Sequence, residues 1–263
     1  MRQITSRDNA QFRSWLKLRD SSRERREAGL SLLDGVHLVA AYVEHLGAPE
    51  ALIVSRSHLN DVEIAQLVGA PGMPQVTMLS DAMFRELSSV ATPTGILALV
   101  RTPRRSGLPA RPGPCVMLED LQDPGNLGSI LRSAAAAGVT EIYLSAGCVH
   151  AWSPRVLRAG MGAHFALHLY ERVDLGLLID RFPGQVVATV RDARLPFYAA
   201  ELRDTVALLF GNEGAGLSPG LRAVADVQIS IPMPGKAESL NVAAAAAVCL
   251  FERVRQQAAR IAP

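Results

Sequence analysis

From residue 115 onward, short apolar runs alternate with amphipathic stretches, and this alternation constrains the fold more than any other feature of the chain. The runs "CVMLED", "EIYLS", "HFALHLY", "QVVATV", "TVALLF" and "VQISIP" are short and rich in β-formers, so each predicts a strand. "NLGSILRSAAAAG", "SPRVLRAGMG", "DLGLLIDRF" and the closing "SLNVAAAAAVCLFERVRQQ" predict helices. Strands joined through helices pair in parallel and are covered on both faces, which predicts an α/β fold. With 263 residues, 49% of them hydrophobic, the chain has enough apolar surface for such a core. Alanine runs at residues 134–137 and 243–247 fall in two of these helices. Because alanine adds almost no width, those helices can pack closely, against each other or against a second subunit.

The stretch "RTPRRSGLPARPGP" mixes Pro, Gly and Arg with little apolar content and reads as a linker over residues 101–114. It divides a smaller α/β pattern (residues 1–100) from the larger one (residues 115–263). The first thirty residues read as a basic helical arm with an apolar side made by Phe12, Trp15, Leu16 and Leu18. That arm carries eight Arg and Lys against four Asp and Glu, and residues 101–111 carry four Arg and no acid. Two basic zones on a chain of net charge +2 fit either a nucleic-acid footprint or a solvated helix and linker. No apolar run reaches the ~18 residues that would span a bilayer, so no membrane partner is expected. The N-terminus lacks the apolar centre of a secretion signal. Cys115, Cys148 and Cys249 form neither a disulfide framework nor a metal pair, so a reducing cytoplasm is expected.

In an open parallel sheet, ligands sit beyond the carboxyl ends of the strands, and three predicted loops there are chemically unusual. In residues 118–134, Asp123-Pro124-Gly125-Asn126 forms a turn, with Asn126 placed to cap the following helix and Arg132 about two turns into it. In residues 208–218, a cluster of three glycines surrounds a lone Glu213. In residues 229–243, an extended Ile231-Pro232-Met233-Pro234 leads to Gly235, and Ser239 or Asn241 caps the last helix. "PGKAES" lacks the upstream glycine of a nucleotide triphosphate loop, and Ala237 replaces its hydroxyl. The glycine cluster also lies near the end of the domain, whereas Rossmann folds place theirs after the first strand. His164 and His168 lie in a strand-like run with no third ligand, so no metal site is expected.

Together the three loops resemble the SpoU family of RNA ribose 2′-O-methyltransferases, within the SPOUT superfamily. The motifs are "DPGNLGSILRSAAAAG", "LLFGNEGAGLS" and "IPMPGKAESLNVAAAAAVCLFE", in that order. The N-terminal part resembles the family's L30-like RNA-binding domain, with Asp34 where Glu is commoner and Thr94 where many members have Gln. The resemblance implies a deep trefoil knot in the C-terminal domain, a homodimer and S-adenosyl-L-methionine as methyl donor. It implies that Gly211, Ile231 and Leu240 offer backbone groups to that donor, while Asn212, Glu213, Gly214, Met233 and Asn241 surround it. It further implies that Arg132, Asn126, Glu213, Ser239 and Asn241 carry the chemistry, with Glu213 fixing either Asn126 or Arg132. Arg132 is assigned as base in the family. A guanidinium is a poor base, so stabilising the developing alkoxide is the preferred role. The substrate expected is RNA, ribosomal RNA ahead of tRNA, for a housekeeping or a drug-resistance modification. The competing reading is a non-catalytic RNA-binding or ribosome-assembly factor on the same fold.

Overall fold

The computed structural model describes residues 1–105 and 107–259. It divides into two compact units: Met1–Arg104 with Trp152–Phe165, and Arg105–Ala151 with Ala166–Pro263.

The first unit runs β1 (Arg2–Ile4), α1 (Ala10–Asp20), α2 (Ser22–Ala28), β2 (Leu30–Asp34), α3 (Val36–Leu46), β3 (Ala51–Ser55), α4 (Val62–Val68), β4 (Val76–Leu79), α5 (Asp81–Leu87) and β5 (Ile96–Arg101). Its sheet has the order β1-β4-β3-β5-β2, with only β5 running against the rest. The first thirty residues are largely helical, as α1 and α2, and the apolar side expected of them packs onto the sheet. Asn9 caps α1 by accepting from Gln11 and Phe12 N–H, and Phe12, Trp15 and Leu18 recur at helical spacing to bury against Leu32, Ile53 and Leu79. Arg2–Ile4, which lacks a strong sequence signal, becomes a strand by pairing with β4.

Most of the arm's cations are also engaged within the molecule. Arg7 pairs with Glu86, Arg13 with Asp8, Arg19 with Asp20, and Arg23 with Glu27. Arg25 is buried, and its Nη1 donates to the Leu18 and Arg19 carbonyls at 2.5 and 2.9 Å, closing the end of α1.

The second unit contains β6 (Cys115–Leu118), α6 (Pro124–Ala136) and β7 (Glu141–Leu144); the chain then contributes α7 (Pro154–Gly160) to the first unit. It returns through β8 (His168–Tyr170), α8 (Leu175–Ile179), β9 (Gln185–Thr189), β10 (Leu195–Pro196), β11 (Val206–Phe210), α9 (Pro219–Val224), β12 (Val227–Ser230) and α10 (Val242–Ala258). All seven strands are parallel, in the order β10-β12-β9-β11-β6-β7-β8. The central β6 and β11 are buried throughout, as a sheet covered on both faces requires. The alanine-rich α6 and α10 pack against each other.

The run "HFALHLY" is only partly a strand. Ala163–Ala166 is a 3-10 turn, which contains His164, and the strand begins at His168. Packing overrides the local β pattern here. Phe165 meets the Tyr42 ring edge-on at 5.4 Å, and His164 is buried beside Trp152. The weakly patterned β10 and α9 have no counterpart in the sequence-based expectation.

Candidate active site

The parallel register brings the ends of β9, β11 and β12 together, and a cavity of about 740 Å³ opens beside them. Strand-end loops around such an opening are where this class of sheet binds ligands. The cavity gathers Gly211, Asn212, Glu213, Gly214, Ile231 and Met233, together with Ser239 and Leu240. Its size lies within the range of small-molecule sites, and it offers both main chain and apolar side chains. Thr189, Arg191, Asp192 and Arg222 also line it, although the sequence did not single them out. Their signal was position: Thr189 ends β9, and Arg222 pairs with Asp192 at 2.8 Å to hold the following segment. These residues and chemistry fit S-adenosylmethionine, a polar molecule with an adenine ring that needs an apolar recess.

The glycine turn is closed from within. Asn212 and Gly216 exchange backbone hydrogen bonds at 3.0 and 2.9 Å. The Asn212 Oδ1 then accepts from the N–H groups of Gly214 and Ala215 at 2.9 and 3.0 Å. A Cβ on Gly211 would run into the backbone of Gly216 and Leu217, and Gly216 has φ +71°. These two glycines therefore let the turn fold onto itself, which shapes the cavity wall.

Glu213 reaches across to the first loop. Its carboxylate accepts from the N–H of Gln122 at 3.2 Å, the N–H of Asp123 at 2.9 Å and Nδ2 of Asn126 at 3.1 Å. Partial burial opposes its charge, but these donors prevail and hold its pKa below the usual Glu range. Oδ1 of Asn126 accepts from Nδ2 of Asn241 at 2.8 Å. Oδ1 of Asn241 in turn accepts from the Ala243 and Ala244 N–H groups and caps α10.

A carboxylate can only accept and a helix N-terminus can only donate. Both amides between them are therefore locked in one orientation. Glu213, Asn126 and Asn241 thus form one directed chain joining the three loops.

One expectation changes and one alternative is resolved. Asp123, not Asn126, caps α6: its Oδ1 accepts from Asn126 N–H at 2.7 Å. The Pro at the first turn shifts the helix start three residues earlier than the Asn reading assumed, leaving the Asn126 side chain free to bridge. Glu213 holds Asn126 and not Arg132. Six residues separate Asn126 from Arg132, about 9 Å along a helix and on a different face. Arg132 is exposed and has no hydrogen bond or ion pair among the described residues. Ser239 stands exposed on the cavity rim. Among the described residues, no cluster of His, Cys, Asp or Glu is arranged to hold a metal ion, and no helix is long and apolar enough to cross a membrane.

A parallel sheet with a cofactor-sized cavity at its strand ends, lined by two of the three interlocked polar loops, defines an α/β class that binds a small-molecule cofactor there. The model of the SpoU rRNA methylase family matches residues 113–251, and that of the MRM3-like substrate binding domain matches residues 9–98. The chain is 30% identical to the 23S rRNA (guanosine(2553)-2′-O)-methyltransferase RlmP of Bacillus subtilis, over 95% of this chain and 98% of that one. It is also 30% identical to the 23S rRNA (uridine(2479)-2′-O)-methyltransferase of Streptomyces viridochromogenes, over 97% of this chain and 93% of that one. The crystal structure of the SpoU methyltransferase AviRb from Streptomyces viridochromogenes with the cofactor AdoMet superposes with a TM-score of 0.85. That match has 28% identity and covers 95% of this chain and 98% of the other. The protein belongs to the SpoU methylase family. It is an S-adenosylmethionine-dependent RNA 2′-O-methyltransferase, with an N-terminal substrate-binding domain.

Proposed function

We propose that this protein methylates the ribose 2′-oxygen of one nucleotide in ribosomal RNA, with the donor held in the strand-end cavity. The observation that carries the reading is the directed chain from Glu213 through Asn126 to Asn241 beside that cavity. Two relatives spanning nearly the whole chain are named as 23S rRNA enzymes, while a third, from Synechocystis, carries the broader name tRNA/rRNA methyltransferase; the two specific names support ribosomal RNA over tRNA.

In this reading, S-adenosylmethionine supplies a methyl group on a sulfonium centre. The main chain at Gly211, Ile231 and Leu240 binds the donor, with Asn212, Gly214 and Met233 around it. Glu213 acts as a positioning residue by setting the Asn126 amide. Ser239, Asn126 and Asn241 form the polar wall that orients the sugar hydroxyl. Alignment of hydroxyl and methyl supplies on the order of 7–11 kcal/mol of the barrier. Arg132 keeps its own proton and offers its N–H fork to the developing alkoxide and to the neighbouring phosphate, whose oxygen takes the proton that the hydroxyl loses. Its lack of partners among the described residues leaves that fork available.

A homodimer completes the proposal. On α10, Phe251 is 49% exposed, and Ala244 and Ala247 leave narrow surface beside it, which suits a close-packed second copy. The trefoil crossing implied by the resemblance and a cytoplasmic location belong to the same reading.

The test is mass-spectrometric mapping of ribose methylation in ribosomal RNA from cells with and without the gene. One 2′-O-methyl group should disappear with the gene. An unchanged ribosomal RNA map alongside a lost tRNA mark would replace the substrate. No change in either RNA would favour a non-catalytic assembly factor.

A further inference from the structure

Beyond β6 the chain turns through Asp120, one of three residues other than glycine with positive φ among the described residues, at +51°. A left-handed conformation is unfavourable for most residues and persists only where the surroundings hold it. The surroundings here are specific. Asp120 N–H donates to Oγ of Ser145 at 2.9 Å, and the same hydroxyl donates back to Asp120 Oδ1 at 2.6 Å. Ser145 follows β7 directly, so this reciprocal bridge ties the ends of two neighbouring strands. A Cβ on Gly147 would collide with the Asp120 carboxylate, so the loop after β7 keeps open the space that side chain occupies.

The consequence appears on the opposite side, at β11. The Asp120 carbonyl accepts from Nδ2 of Asn212 at 2.8 Å. Asn212 is the residue whose Oδ1 closes the glycine turn onto Gly214 and Ala215. Its amide therefore has one end on Asp120 and the other inside the turn that walls the cavity. The inverted φ at Asp120 reorients the adjoining backbone, and the Ser145 bridge keeps it there.

We infer that Asp120 is a positioning residue for the donor-binding turn, acting through its carbonyl on Asn212 and held in place by Ser145. The inference rests on the reading that S-adenosylmethionine occupies the cavity. None of the motif residues carries this function, and the side chain of Asp120 does not line the cavity. Its effect is on where the turn sits rather than on the reacting atoms.

Calorimetry with S-adenosylmethionine, steady-state kinetics and thermal melts on the full-length protein test it. Asp120→Ala removes the anchoring carboxylate while keeping a Cβ at positive φ. It should raise the donor dissociation constant and KM about ten-fold, equivalent to about 1.4 kcal/mol. The kcat at saturating donor and the KM for RNA should stay within about two-fold, a split that a general loss of structure would not produce. Asp120→Asn keeps an oxygen for the Ser145 hydroxyl and tolerates positive φ, so it should recover most of the affinity. Ser145→Ala removes the bridge without changing the residue at positive φ. It should weaken donor binding in the same direction, and it carries the test where Asp120→Ala fails to fold. Unchanged donor affinity in folded Asp120→Ala, or in Ser145→Ala, overturns the inference while leaving the cofactor reading intact. A parent protein that binds no S-adenosylmethionine overturns both.

Discussion

Replacing Glu213 with glutamine preserves the shape of the clasp and removes its charge. In the parent, Oε1 accepts from Asp123 N–H and Asn126 Nδ2, and Oε2 accepts from Gln122 N–H. In Glu213→Gln the amide oxygen can keep the first two, but the amide nitrogen then faces the Gln122 N–H, donor against donor. One hydrogen bond disappears, and two fall from the charge-assisted class, worth about 1.5–3 kcal/mol each, to the neutral class near 1 kcal/mol. Glu213 is exposed, so water replaces part of the missing interaction. The net destabilisation expected at pH 7 is therefore about 1–2 kcal/mol.

The pH dependence gives the argument a sign. The folded carboxylate has a lowered pKa, so its stabilisation is fully present above the ordinary Glu value of about 4.3. It is lost as pH falls through the lower folded value. Urea unfolding of parent and variant from pH 7 to pH 3 measures this as a shift in midpoint at constant slope. The gap between the two proteins should shrink below pH 4. Equal stability at pH 7, or a gap that widens on acidification, refutes the clasp.

Three further outcomes follow from the same geometry. Arg132→Ala should keep donor binding by calorimetry and lose about a hundred-fold or more in turnover, since the side chain bonds to no described residue of its own subunit; unimpaired turnover removes it from the mechanism. Gly211→Ala should cost about 1–3 kcal/mol in thermal melts and abolish donor binding, because its methyl would meet the backbone of Gly216 and Leu217; normal binding would show that the turn has slack. Replacing Arg104 and Arg105 together with alanine should weaken RNA binding and lower the slope of log affinity against log salt by about one for each phosphate no longer neutralised. An unchanged slope in filter binding would assign the electrostatic attraction elsewhere.

Much of the architecture was legible in sequence because it is local. The fully apolar "CVML" and "VALLF" runs have no polar face to give to water, so they belong inside a covered parallel sheet. Ser239 and Asn241 before an alanine-rich run announced a helix cap, and of the two Asn241 caps α10. The apolar side of the N-terminal helix was legible too, as Phe12, Trp15, Leu16 and Leu18; what the sequence did not carry was the sheet surface that receives them.

The sequence by itself therefore determined most of the elements, the parallel arrangement of the larger sheet and the three polar loops, since hydrophobic period and capping chemistry act over a few residues. Tertiary structure alone decided the partners. Glu213 lies 87 residues from Asn126, and Asn126 lies 115 residues from Asn241. A hydrogen bond tolerates an error of only a few tenths of an ångström. No local pattern carries that information, so which donor meets which acceptor emerges only when the strand register sets distant loops side by side.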